Sequence, residues 1–311
     1  MEKNKISFTE PIIVFTLAVI CQLLWGSAIP TIKTGYRLFQ IASESTGSQI
    51  LFAGIRFTLA GILTVLMKSA ADGRFLKPEK SAAGKILKVC LFQTVLQYIF
   101  FYIGVANLSG SKASILSAVN VFTALLISAL IFRMEKLSAN KVLGCIVGFS
   151  GVIIASLTGQ TAAADTSVGL NGEIAMLLSA ASYGFSSVLI KRYGRDHDPV
   201  MISGYQFITG GMALIILGSC MGGHIAPQSA AAVPVIFYLA FISAAAYSVW
   251  GILLKYNPVS KITVFSFLSP IVGVAISAIV LKDAGAFNLR CLTALALVCL
   301  GITLVNRPSA R

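Results

Sequence analysis

Aromatic side chains inside apolar stretches are the residues of this sequence best suited to bind a small molecule. Tyr98 and Tyr102 are four residues apart, so they share one face of a helix. Tyr247 and Trp250, three residues apart, do the same. Such faces can enclose a flat or apolar group while a hydroxyl or an indole NH donates a hydrogen bond. An aromatic belt at the membrane surface is the alternative, but the position of these rings near mid-stretch favours a binding cavity.

A nine-residue phrase that begins with an aromatic residue occurs twice. WGSAIPTIK begins at Trp25, and YGFSSVLIK begins at Tyr183, 158 residues later. In both phrases a glycine follows the aromatic residue, which lets another helix or a ligand approach the backbone. The repetition adds Ser27 and Ser187, together with the two aromatic residues, to the candidate substrate-binding residues. Close helix packing through small residues explains the same pattern and stays open.

Arg56 is a cation that lies well inside an apolar stretch. An ionisable residue within a membrane is expensive to bury and is therefore a functional candidate. It lies eight residues from Ser48, about 12 Å along a helix, so its side chain can also reach the membrane surface or backbone carbonyls. Two interpretations stay open: a structural role, or attraction of a substrate carboxylate.

Polar residues and a proline in two matching stretches complete the candidate site. Asn120, in SKASILSAVNVFTALLISAL, aligns with Ser269, in SKITVFSFLSPIVGVAISAI. Pro270 is expected to kink its helix and expose carbonyls beside Ser269. Such irregular backbone is tolerated where it lines a cavity. The matching position in the first half has no proline, so only the second half carries a kinking residue.

These residues must be positioned by membrane-spanning helices. The 311 residues are 57% hydrophobic and 11% charged, whereas soluble domains carry about 25% charged residues. Apolar runs near the 20 residues needed to cross roughly 30 Å of hydrocarbon recur along the chain. The sequence therefore predicts an all-α polytopic membrane protein with ten transmembrane helices. The predicted spans are 12–36, 48–68, 86–106, 111–132, 139–158, 170–191, 199–221, 232–255, 260–281 and 289–306.

The second half of the chain repeats the first. GIRFTLAG in the second span matches GYQFITGG in the seventh, which aligns Arg56 with Gln206 at an offset of 150. The phrases that begin with the two SK pairs match at an offset of 149. Five spans per half is an odd number, so the second half must enter the membrane from the opposite side, as in many secondary transporters. We expect a five-helix repeat at 1–158, a linker at 159–169 and an inverted five-helix repeat at 170–311, packed around a central cavity.

The distribution of lysine and arginine predicts the orientation. With the N-terminus inside, the inner segments hold 18 of the 24 lysines and arginines, the outer segments hold five, and Arg56 lies within a span. Cytoplasmic loops carry such an excess. The sequence thus predicts a multi-pass protein of the cell membrane (inner or plasma membrane) with both termini in the cytoplasm.

Ten spans in two five-helix halves, with WGS in the first span, RF in the second and SP at 269–270 in the ninth, resemble the EamA family of the drug/metabolite transporter superfamily. The resemblance implies a basket of ten helices around a cavity that opens alternately to either side. It also implies transport of amino acids, other small metabolites or drugs, frequently outward. The first span contains no acidic residue, unlike that of the short drug exporters of the superfamily, which argues against antiport of cationic drugs and protons.

Other classes of function conflict with the residue pattern. The cations form short caps between apolar runs and not one solvated face, which argues against a nucleic-acid partner. The two histidines and six cysteines show no metal-ligand spacing, and no phosphate-binding loop occurs, so no metal, cofactor or ATP site is expected. A membrane-embedded enzyme acting on lipid and a channel are the alternatives. The sequence has no His or acid cluster within reach of the bilayer, which argues against the enzyme. Channels usually need charged rings or filter loops, and an inverted repeat with a kinked helix near the midplane favours alternating access over either alternative.

The leading interpretation is a secondary active or facilitative transporter, not an enzyme, that exports amino acids or similar small metabolites by alternating access. Its partners are the small-molecule substrate and the lipid bilayer. Buried carboxylates are scarce, so exchange or facilitated diffusion is at least as plausible as proton coupling. Ten helices can enclose a path within one chain, and both a monomer and a homodimer stay open.

Overall fold

The computed structural model of the chain describes residues 8–157, 166–257 and 259–307, and within these ranges it contains helices but no strands. The predicted linker 159–169 lies mostly outside the described residues, as do both chain termini. The long helices begin and end within four residues of the predicted spans, except that α3 starts six residues earlier. The helices α1 to α10 span Pro11–Leu38, Thr46–Asp72, Lys80–Asn107, Gly110–Ile131, Ala139–Ser156, Thr166–Tyr193, Pro199–Cys220, Ala232–Tyr256, 259–280 and Leu289–Val305.

The bundle has the dimensions and surface of a membrane protein. Nine helices of the described chain are at least 18 residues long and apolar enough to cross a bilayer. α10 has 17 residues, is also apolar, and packs along α5. Large apolar side chains such as Ile146, Ile216 and Ile279 are 62–75% exposed on the outer surface, as is typical of a surface that faces lipid. The prediction of an all-α polytopic membrane protein with ten helices is confirmed.

Glycines bring α2 of the first half and α7 of the second half into antiparallel contact. A Cβ atom on Gly54 would lie 2.8 Å from the Gly211 carbonyl oxygen, and one on Gly61 would lie 2.6 Å from that of Gly204. Gly54 corresponds to Gly204, and Gly61 to Gly211, at the offset of 150. The same contact is therefore made twice, as a two-fold axis between inverted halves requires. Small residues permit such backbone approach in lipid, where packing drives helix association.

The remaining contacts between the halves follow the same symmetry. A Cβ atom on Gly26 of α1 would lie 2.6 Å from Val272 Cβ of α9, and one on Gly184 of α6 would lie 3.1 Å from the Thr123 oxygen of α4. Gly26 and Gly184 are 158 residues apart, and Thr123 and Val272 are 149 apart, so the α1–α9 and α4–α6 contacts are equivalent. α5 and α10, the last helices of each half, also pack together. The two predicted inverted repeats of five helices are confirmed.

Helices α4 and α9 are both interrupted near the middle. In α9 a short 3-10 segment, Val264–Phe267, precedes Leu268–Val280, and Pro270 lies in the first turn of this last segment. A proline is tolerated there because the first turn of a helix has no hydrogen-bond acceptor for its NH. α4 is interrupted at the equivalent position, Ala118, between Gly110–Ser117 and Val119–Leu126. The kink expected at the proline thus has a counterpart that needs no proline.

Ion pairs between helices lie at the two ends of the bundle. At the end predicted to face the cytoplasm, the Glu135 carboxylate accepts hydrogen bonds from Lys141 and Lys191, each at 3.0 Å. Partial burial acts to raise the pKa of the Glu135 carboxyl, but the hydrogen bonds and charges of the two lysines hold that pKa below its usual value. At the opposite end, Lys112 of α4 pairs with Glu173 of α6. Ion pairs therefore connect α6 to α4 at one end and to the loop that follows α4 at the other.

Candidate functional site

Two pairs of equivalent residues meet at the centre of the interface between the halves. The hydroxyl groups of Tyr98 in α3 and Tyr247 in α8 form a hydrogen bond of 3.0 Å. The rings of Phe57 in α2 and Phe207 in α7 stack with centroids 5.3 Å apart. The residues of the first pair are 149 positions apart and those of the second are 150 apart, which are the offsets between the repeats. A residue can contact its own equivalent only near the two-fold axis, so these four rings mark that axis.

The tryptophans extend this aromatic cluster toward α1. The Trp25 ring lies 5.4 Å from that of Tyr247 and 5.2 Å from that of Trp250, both in edge-to-face geometry. Tyr247 is also edge-on to Phe207 at 5.2 Å. Trp25, Tyr247 and Trp250 are half-buried, whereas Tyr98 is buried. The structure thus brings together four predicted site residues from α1, α3 and α8.

Tyr102, predicted to share the binding face with Tyr98, lies behind the cluster in a polar contact with Arg56. Both side chains are buried: Tyr102 is 0% exposed and Arg56 is 3% exposed. The Arg56 guanidinium donates to the Tyr102 hydroxyl at 2.7 Å, to the Leu239 carbonyl oxygen at 3.1 Å and to Ser243 Oγ at 3.0 Å. Arg56 therefore neither snorkels to the membrane surface nor opens into the cluster, and it joins α2 to α3 and α8.

Gln206, the equivalent of Arg56, makes the matching connection in the other half. Its Oε1 accepts a hydrogen bond of 2.5 Å from Thr94, and its Nε2 donates to Gln93 Oε1 at 3.0 Å. Thr94 and Ser243 are 149 residues apart, so the bond from Gln206 to α3 is the equivalent of the bond from Arg56 to α8. One of the two equivalent connections carries a charge and the other is neutral.

Both predicted serines bond backbone carbonyls of their own helices, and Ser27 also contacts α8. Ser27 donates to the Leu24 carbonyl oxygen at 2.8 Å, and its hydroxyl lies 2.9 Å from that of Tyr238 in α8. Ser187 donates to the Gly184 carbonyl oxygen at 2.8 Å. Ser27 therefore contacts α8 nearer its N-terminal end than the aromatic cluster does. Sequence reasoning did not single out Tyr238, since no spacing relates it to Ser27.

The remaining predicted residues lie at the helix interruptions and on α6. Asn120 follows the break of α4, and Ser269 follows that of α9, at equivalent positions. Helix α6, which carries Tyr183 and Ser187, packs against α3, the helix of Tyr98. Phe57 and Phe207, which the structure places on the axis, were aligned in the repeats at the offset of 150 but were not taken as site residues.

Five polar groups of the predicted site residues have no hydrogen-bond partner among the described residues. These groups are the indole NH of Trp25 and Trp250, the Tyr183 hydroxyl, the Asn120 amide and the Ser269 hydroxyl. All five residues are half-buried. Polar groups at such positions can hydrogen-bond a bound molecule without first breaking a bond inside the protein. The described part of the chain holds no group of three or more metal-ligating side chains.

Ten membrane helices in two inverted halves, with polar and aromatic side chains gathered where the halves meet, define a membrane transporter of the inverted-repeat class. The sequence pattern of the EamA-like transporter family matches residues 11–157 and, a second time, residues 170–307. The chain belongs to this family.

Individual relatives are similar over nearly the whole chain. An uncharacterized transporter of Bacillus subtilis (strain 168), YvbV, is 26% identical over 292 residues, which cover 92% of this chain and 89% of the relative. A protein of Salmonella typhimurium named "Probable amino-acid metabolite efflux pump" is 23% identical over 295 residues, 86% of each chain. A solved crystal structure that is 20% identical superposes with a TM-score of 0.63 over 94% of this chain and 97% of its own, and it supports the fold alone.

Proposed function

We propose that this transporter exports amino acids or similar small metabolites by alternating access, either as a facilitative carrier or as a secondary active one. The observation that carries the proposal is the aromatic cluster of Trp25, Tyr98, Tyr247 and Trp250 at the axis between the inverted halves. Inverted-repeat transporters bind substrate near this axis, because relative motion of the halves opens it to each side in turn. The name of the Salmonella relative supports an amino-acid metabolite as cargo.

The cluster provides the chemistry that such a substrate needs. Edge-to-face rings enclose an apolar side chain, and the indole NH groups and hydroxyls donate to its polar end. In this proposal the substrate contacts residues from six helices, three in each half, while Tyr102 positions Tyr98 from behind. The proposed contact residues are Trp25, Ser27, Tyr98, Asn120, Tyr183, Ser187, Tyr247, Trp250 and Ser269.

The proposed carrier lies in the cell membrane with both termini in the cytoplasm. The excess of lysine and arginine in the inner segments supports this orientation. Its functional halves are the repeats at 1–158 and 170–311. The transported molecule crosses unchanged, and the transporter names of the relatives support a role without catalysis.

Energy coupling in this proposal does not require a buried proton carrier. In the described chain, the acidic side chains lie in loops or near helix ends, where Glu135 and Glu173 pair with lysines. A proton relay through the membrane would need ionisable groups near mid-span, and Arg56 is bound there to neutral oxygens. Exchange and facilitated diffusion therefore suit the described residues better than proton antiport.

Efflux from cells tests the proposed cargo and direction. Cells that produce the protein and cells that lack it are loaded with labelled amino acids, and the release of each label is followed with time. We expect faster release and a lower internal level for one class of amino acid or related metabolite. A protonophore should leave the rate unchanged if coupling is by exchange or facilitation. Equal release of every solute from both cell types, with the protein present in the membrane, would contradict the proposal.

A further inference from the structure

We propose that Arg56 selects substrates that carry a carboxylate, by placing behind the Tyr98–Tyr247 pair a positive charge that no acidic group of the described residues neutralises. This inference rests on the proposed function and adds the charge class of the substrate. Arg56 does not contact the substrate in this account. It acts as a specificity residue through the electrostatic potential that it creates in the site.

The immediate partners of Arg56 are all neutral. Its three hydrogen bonds go to a tyrosine hydroxyl, a serine hydroxyl and a backbone carbonyl, on Tyr102, Ser243 and Leu239. Its carbon Cζ lies 4.7 Å from the centroid of the Phe57 ring, a cation–π contact. Within the described residues Arg56 forms no ion pair with an aspartate or glutamate. The guanidinium is therefore buried among neutral groups, and its charge is not compensated by a nearby acid within the described residues.

The equivalent half of the protein shows that helix packing does not require this charge. Gln206 occupies the position of Arg56 and hydrogen-bonds Thr94, the equivalent of Ser243. A neutral glutamine therefore makes the same helix-to-helix bond. Because burial of an ion is unfavourable compared with burial of a neutral amide, the charge of Arg56 points to a role beyond that bond.

The charge lies close to the aromatic cluster. The Phe57 ring, which Arg56 covers, has its centroid 4.0 Å from that of Tyr98, and Tyr98 bonds Tyr247. In a buried site of low polarity, where salt screens charges little, the Arg56 charge interacts strongly with a charged group bound beside these rings. The unpartnered indole groups of Trp25 and Trp250 are donors only, so they too favour an acceptor such as a carboxylate oxygen. An organic cation would be repelled from the same site.

A matched pair of probes tests this inference with the purified full-length protein. 3-Phenylpropanoate and 3-phenylpropanamide have nearly the same shape, and only the first is an anion at pH 7. Trp25 and Trp250 are the two tryptophans of the chain, so quenching of tryptophan fluorescence reports binding at the site itself. We expect the wild-type protein to bind the acid about tenfold more tightly than the amide. That ratio corresponds to about 1.4 kcal/mol.

Variants separate the charge of Arg56 from its hydrogen bonds. Arg56→Gln should abolish the preference for the acid and leave affinity for the amide unchanged, whereas Arg56→Lys and Ser243→Ala should keep the preference. Ser243→Asp places an acid beside the guanidinium and should abolish the preference with Arg56 in place. If Arg56→Gln does not fold, Ser243→Asp still tests whether the preference for the acid depends on the uncompensated charge of Arg56.

Several results would overturn the inference. The first is a wild-type protein that binds neither probe, or binds both equally. The second is an unchanged preference for the acid in both Arg56→Gln and Ser243→Asp. The third is an equal loss of affinity for the acid and the amide in these variants. Efflux of uncharged or cationic solutes from cells would overturn it and leave the proposed carrier intact. Absence of any transported solute would count against the proposed function itself.

Discussion

The hydroxyl groups of Tyr98 and Tyr247 lie 3.0 Å apart although 149 residues separate them in the chain. The same offset relates the fourth and ninth helices, so each tyrosine bonds its own equivalent in the other repeat. This bond therefore crosses the axis about which the halves are related. A motion that opens one side of the protein and closes the other must rearrange groups around this pair, which makes it a natural centre for a transport site.

A double-mutant cycle with Tyr98→Phe and Tyr247→Phe tests whether the two hydroxyls bond each other. Each phenylalanine keeps the ring packing and removes one partner of the bond. We expect a coupling between the two substitutions of about 0.6 kcal/mol in the free energy of unfolding, the average for hydrogen bonds between membrane helices. Reversible unfolding of the four proteins in detergent measures it. Fully additive effects would show that the hydroxyls do not interact.

Trp250→Ala should reduce transport by about tenfold or more with little loss of folded protein. The half-buried indole contacts Trp25 and provides a free donor, so its removal opens the proposed site without emptying the packed core. Phe237→Ala is the matched control, since Phe237 is on the same helix and is 50% exposed on the outer surface. Equal transport by the two variants would argue against a site at the aromatic cluster.

Gly54→Ala should destabilise the fold, because a Cβ atom at this position would lie 2.6 Å from the Ile215 backbone nitrogen. We expect a loss of about 2 kcal/mol or more of unfolding free energy, since α2 and α7 must separate to admit the methyl group. Gly84→Ala is the control. It has open space around it and should be neutral or slightly stabilising, as alanine favours a helix. Similar melting temperatures for the two variants would contradict the α2–α7 packing.

Glu135 should contribute a small stability that depends on pH. Its pKa in the folded protein lies below the usual value of about 4.3, so the contribution is present at neutral pH. It declines as the pH falls below that usual value and is lost as the pH passes through the folded-state pKa. The carboxylate is partly exposed, which limits the effect to less than about 1 kcal/mol. Thermal unfolding of wild type and Glu135→Gln should differ at pH 7 and converge in acid.

Much of the fold follows from the sequence because lipid imposes simple rules. A span needs about 20 apolar residues, and an odd number of spans in each repeat forces inversion. The start of α3 at Lys80 escaped prediction because its first turn is polar, so hydropathy did not mark it. The interruption of α4 at Ala118 was also not predicted, because no proline marks it in the sequence. Ser114 and Ser117 donate hydrogen bonds to backbone carbonyls just before this position.

The arrangement of the site was harder to predict than its composition. Trp25, Tyr98, Tyr247 and Trp250 could be chosen by residue type and by position within their spans. That Tyr98 meets Tyr247, and that Arg56 is bound by α3 and α8, depends on packing between helices far apart in the chain. The repeat alignment does contain this information, because equivalent residues near the axis must lie close together.

Counterflow in proteoliposomes tests the central claim, that the halves open alternately around one site. Vesicles containing the purified protein are loaded with a high concentration of an unlabelled amino acid and diluted into a trace of its labelled form. An alternating-access carrier predicts a transient accumulation of label inside above its external concentration, as exchange outruns net efflux. If the label enters the vesicles only until its internal and external concentrations are equal, without this overshoot, the protein is a channel and the account is contradicted.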